Sequence, residues 1–197
     1  MSEYCESIDY NSHNPFSGDW LDAAMRACKH TEETDKQLNE KEFEMKLFID
    51  CEYNGMGGQL LSIALVPLDK QLEPLYREQV VYEPVDNWVT DNVFPKLDHY
   101  AFGPKFKIPC SRAQLQADLA MYLNQYDCIH LISDWPDDIK YFCELLITGP
   151  GHRIDTPPIT IEIRRDLDCE SDIPHHALAD AKAMRDRYIE LGLGNAS

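Results

Sequence analysis

Met45-Lys-Leu-Phe-Ile-Asp50-Cys-Glu52-Tyr53 ends an apolar run on two carboxylates two residues apart. Side chains alternate along a β-strand, so Asp50 and Glu52 point to one face. Like charges at that spacing disfavour each other. Either the pair is a solvated strand end beside a turn, or it shares a divalent cation. The motif by itself leaves both open, and the rest of the chain has to decide.

Outward from this strand (46–52) the pattern is that of an α/β domain. The turn Asn54-Gly55-Met56-Gly57-Gly58 leads to a second strand, Leu60-Leu-Ser-Ile-Ala-Leu-Val66, and a third is predicted over about 76–82. Short connections make these three antiparallel neighbours, because a parallel crossover needs a dozen or more residues. Helical patterns follow at about 86–97 and 112–125, the first placing Trp88, Val89, Val93 and Phe94 in packing roles. Tyr126-Asp-Cys-Ile-His-Leu-Ile-Ser133 reads as a buried strand, and Pro136 opens a helix to about residue 147. A fifth strand, Ile159-Thr-Ile-Glu-Ile-Arg164, and a last helix from about 176 to 191 complete the order β-β-β-α-α-β-α-β-α.

The first 44 residues differ in character, with eleven acidic and four basic side chains. They are expected to form a separate acidic extension with one capped helix over residues 21–28, preceding a domain of residues 45–197. The 197-residue chain carries a net charge of −17, which excludes a broad electrostatic grip on a phosphate backbone. A nucleic-acid enzyme of this charge would bind few phosphates, chiefly through metal ions held by its own carboxylates. Seven cysteines form no C-x-x-C pair and point to reduced thiols. With no apolar stretch near the roughly 20 residues of a membrane span and no basic-apolar leader, the sequence predicts a soluble, cytoplasmic protein.

His175-His176-Ala177-Leu178-Ala179-Asp180-Ala181 opens the last helix. Together with Asp50-x-Glu52 on the first strand, it resembles the terminal motifs of the DEDDh 3′-to-5′ exonucleases. These include oligoribonuclease, ribonuclease T and the polymerase proofreading subunit. The resemblance covers about residues 45–191. It implies a ribonuclease H-like fold: a five-stranded mixed sheet, its first three strands antiparallel, flanked by helices.

It further implies two Mg²⁺ or Mn²⁺ ions held by Asp50, Glu52, Asp138 and Asp180, with Asp50 reaching both. Ions about 3.5–4 Å apart can activate a water and receive the leaving 3′ oxygen. The middle carboxylate is open between two residues of Ser133-Asp134-Trp135-Pro136-Asp137-Asp138. Asp138 carries the fitting tail, Ile139-Lys140-Tyr141-Phe142, whereas Asp134 lies nearer the strand end.

The general base is open as well: the family's spacing selects His175, whereas helical periodicity relative to Asp180 prefers His176. Met56 is the candidate wedge against the terminal nucleotide, Gly57 a close-approach position, and Trp135 a candidate stacking platform. Arg164 and Arg165 read as a strand end. Single-stranded 3′ ends are the implied substrate, and Leu61-Ser62-Ile63-Ala64 is similar to the exoribonuclease branches, favouring RNA slightly over DNA. A DNA exonuclease and an inactive interaction module are the competing readings. Relatives are often dimers, which leaves a homodimer open.

Overall fold

A computed structural model of the chain describes residues 44–82, 84–101 and 108–195. The acidic extension and its candidate helix lie outside these residues. Five strands form one mixed sheet: β1 (Met45–Tyr53), β2 (Leu60–Pro67), β3 (Leu75–Glu78), β4 (Ile129–Ser133) and a last strand, β7 (Ile159–Ile163), in the order β3-β2-β1-β4-β7. β1 lies in the middle, antiparallel to β2 and parallel to β4, and β2 is antiparallel to β3 as the short connections required. A separate two-stranded hairpin, β5 (Ile147–Gly149) with β6 (His152–Arg153), turns at Pro150-Gly151.

Both faces of the sheet are covered, so β2, apolar but for Ser62, is buried along its whole length. One face carries Leu47, Ile49 and Cys51 of β1. They pack with Leu115, Leu119 and Leu123 of α3 (Arg112–Leu123) and with Phe142 and Leu145 of α4 (Pro136–Leu146). The other face carries Phe48, which meets Ala177, Ala181, Met184 and Tyr188 of α5 (Ala177–Glu190). Phe48 and Tyr188 meet edge to face at 5.1 Å. Asp50 and Glu52 follow Phe48 on the same face by the period of two, and so emerge beside the start of α5.

Three elements depart from the sequence reading. The third strand stops at Glu78, because Val80 donates its N–H to Cys110 and the chain there leaves β2 for the segment before α3. The helix expected over 86–97 is α1 (Asn87–Asn92), a 3₁₀ turn (Phe94–Lys96) and a short α2 (Asp98–Ala101). Pro95 has no N–H to give to an α-helical ladder, so the helix cannot run through it. The fourth strand begins at Ile129 and not at Tyr126, whose N–H still caps the preceding turn on Leu123. Among the described residues no helix is long and apolar enough to cross a membrane.

Candidate metal centre

β1 and β4 run parallel, and a cleft of about 840 Å³ opens at their carboxyl ends, where ligands of open α/β sheets characteristically bind. Four elements deliver carboxylates to it. β1 brings Asp50 and Glu52, the end of β4 brings Asp134, the first turn of α4 brings Asp138, and the first turn of α5 brings Asp180. One oxygen each from Asp50, Glu52 and Asp180 lie within 4.8 Å of one another. The same holds for Asp50, Asp134 and Asp138, so Asp50 belongs to both groups.

The protein orients these groups but does not neutralise them. Asp138 accepts from the Cys51 N–H at 3.1 Å and from the Ser133 hydroxyl at 2.9 Å. Asp180 accepts from the Ser171 hydroxyl on one oxygen and from the His176 N–H, at 3.1 Å, on the other. Asp50 Oδ2 is buried with no hydrogen-bond partner among the described residues.

Burial first, then the neighbouring Asp138, Glu52, Asp180 and Asp134, pushes the Asp50 carboxyl well above its ordinary range. Burial with Asp180 and Asp138 raises Glu52 to about 8, against a smaller downward pull from Lys96. Asp138 rises to about 7, mainly through burial, although its bonds from Ser133 and Cys51 favour the charged form. Burial also raises Asp134.

A buried, unpartnered carboxylate oxygen between two all-oxygen groups is a cation's environment, and the donor set fits Mg²⁺ or Mn²⁺. Asp50, Glu52 and Asp180 would hold one ion. Asp50 with Asp138 and Asp134 would hold the other. Both candidates for the middle carboxylate thus reach Asp50: the helix-borne Asp138 buried and hydrogen-bonded, the strand-end Asp134 half-buried.

The two histidines face different ways. His176 is the N-cap of α5, its Nδ1 accepting from the Ala179 N–H at 3.3 Å. Its ring is buried, stacked on Tyr76 at 4.8 Å, with Nε2 3.3 Å from Asp98. His175 lines the cleft, edge to face with Trp88 at 5.0 Å. Periodicity misleads here because the helix starts at Ala177, after both. His175 is held at a φ of 66°, a left-handed conformation that costs a non-glycine residue about 1 kcal/mol.

The other expected contacts divide. Trp135 lines the cleft, 43% exposed, with the Arg165 guanidinium 3.8 Å above its ring and its Nε1 donating to Asp137. Met56, 92% exposed, and Gly57 are not among the cleft-lining residues; Gly55 of the same turn is. A Cβ at Gly57 would meet nothing within 4 Å, so its φ of 77° accounts for the glycine there.

Trp88 does not pack as the helical spacing suggested. Val89 and Val93 are buried, whereas Trp88 is 54% exposed on the cleft side. Arg165 does more than end a strand: it reaches Trp135 and donates to the Asp134 carbonyl at 2.7 Å. No sequence signal pointed to either, because each depends on which distant segment lies opposite.

No protein-family model matches the chain, and no curated protein matches it.

Proposed function

We propose that the chain is a two-metal-ion 3′-to-5′ exonuclease of the ribonuclease H-like, DEDDh kind. It hydrolyses phosphodiester bonds at single-stranded 3′ ends, RNA slightly ahead of DNA. The single observation that carries this reading is Asp50: it is common to two carboxylate groups, has a buried oxygen without a hydrogen-bond partner among the described residues, and lies in one cleft with His175.

Two hard cations bound there would polarise a water and the scissile phosphate and balance the charge of the leaving oxygen. The protein's own part is positioning. Cys51 N–H and Ser133 orient Asp138, while Ser171 and the His176 N–H orient Asp180. An imidazole nitrogen of His175 accepts the proton of the attacking water. The exposed face of Trp135 gives a base of the single strand a surface to stack on. With a net charge of −17, the chain grips the end of a strand and not a long duplex.

The test is release of mononucleotides from 3′-labelled single-stranded RNA and DNA. Release should require Mg²⁺ or Mn²⁺, stop on chelation and be somewhat faster on RNA. Faster DNA cleavage would move the reading to a DNA exonuclease. No release with either ion would leave the fold as an acidic interaction module.

A further inference from the structure

His175 is the sole described non-glycine residue with a positive φ. Pro174 precedes it and the regular helix starts only at Ala177, so the local restraint is one turn with the His176 N–H held by Asp180. A further restraint comes from 78 residues upstream. Lys96, half-buried on the 3₁₀ turn after α1, donates its Nζ to the Pro174 carbonyl oxygen at 2.7 Å.

Two residues on, Asp98 faces His176. Because His176 Nδ1 accepts the Ala179 N–H, a neutral His176 carries its proton on Nε2, toward Asp98. The Asp98 and His99 N–H groups are in turn held by the buried carboxylate of Glu78. Trp88 closes the arrangement against the His175 ring. Both neighbours of His175 are thus tethered to one segment, residues 88–98, which the broken helix at Pro95 brings across the cleft.

We infer that Lys96 is a positioning residue for His175: its bond to the Pro174 carbonyl holds the left-handed turn that directs the imidazole into the cleft. The kinetic part of this inference rests on the exonuclease reading; the structural part does not. Lys96 also opposes the upward shift on Glu52, so the same ammonium balances part of the site's charge. The positioning role rests on one of the ammonium's three donors, which bonds a backbone carbonyl of the histidine's own turn.

The full chain with Lys96→Met, Lys96→Arg, His175→Ala and the double variant Lys96→Met/His175→Ala separates the roles. In a proton NMR spectrum recorded in chelator, the cross-peak between the Trp88 indole and the His175 imidazole should vanish in Lys96→Met and persist in Lys96→Arg. Its survival in Lys96→Met would overturn the inference.

With single-stranded substrate, Lys96→Met should lower kcat by about 10- to 100-fold with KM within about twofold, the size of a misplaced catalytic group. The substitution should add nothing on top of His175→Ala, because its effect passes through that ring. A raised KM at unchanged kcat, or an additive loss in the double variant, would make Lys96 a phosphate contact instead. If the wild-type chain releases no nucleotide, the exonuclease reading falls, and the cross-peak alone still decides the positioning role.

Discussion

The two halves of the candidate site are held by different means. Asp50 and Glu52 sit on the central strand, opposite Ala64 and Ser62 of β2, on a strand whose earlier residues also pair with β4. Shifting them means breaking the ladder to β2 and the Cys51 N–H bond to Asp138. Asp180 and His175 come from the entry to α5, where Ser171, Lys96, Trp88 and the Asp98–His176 pair each make a single contact. The carboxylates of the strand are fixed by a cooperative sheet, whereas the histidine is fixed by side chains that can be removed one at a time. A cation's ligands need rigidity under mutual repulsion; a proton acceptor needs only the right direction.

The comparison breaks most visibly at Asp50. Asp50→Ala should abolish turnover, by at least about 10³-fold, while raising thermal stability in chelator, since it deletes a buried and unpartnered carboxylate. Turnover near wild type would sink the metal assignment. His175→Ala should lose about 10²- to 10³-fold in kcat with metal binding intact, the usual size of a general-base contribution. His176→Ala should instead lose about 1–2 kcal/mol of stability in a denaturant titration, as a cap and a stacked ring are removed. A larger kinetic loss in His176→Ala than in His175→Ala would reverse the two roles.

Metal should act on the strand half first. Mg²⁺ at about 100 times its Kd stabilises a native state by about 2.7 kcal/mol, or roughly 5–10 °C in Tm for a domain of this size. Asp50→Ala should erase that shift in a thermal melt, and His175→Ala should leave it.

The pH dependence carries the same signature. Glu52 and Asp138 are raised to about 8 and about 7, so the folded state holds protons that the unfolded state has already released above about pH 4. Their contribution to stability is complete below about pH 4 and is lost as pH rises toward 8. Melts in chelator should therefore show Tm falling from pH 5 to pH 8, and saturating Mg²⁺ should flatten the slope. A flat profile without metal would show that neither burial nor repulsion raises these carboxyls. The smallest effect belongs to Met56→Ala, which should change stability and turnover by less than about twofold, because that side chain lies outside the cleft.

Legibility followed the same division. The period of two placed Asp50 and Glu52 on one face, that of Phe48, and the largely apolar run of residues 60–66 marked the second strand. The helix over 86–97 was misread because its apolar spacing continues through Pro95, where the missing N–H outweighs the pattern. The hairpin at Pro150-Gly151 had a readable turn signal but strands too short for periodicity to register. Trp88 and Arg165 carried no signal, since their positions depend on segments about 30 to 90 residues away in sequence, at His175 and Trp135.

By itself, the sequence determined the order of the five sheet strands, the carboxylate-bearing strand and the pairing of its two carboxylates, because strand sterics and hydrophobic alternation act between near neighbours. Only the tertiary structure decided that His175 and not His176 faces the cleft, and that Asp134 and Asp138 both reach Asp50. Those outcomes turn on where α4 and α5 begin and on what packs against their first turns, which local pattern does not encode.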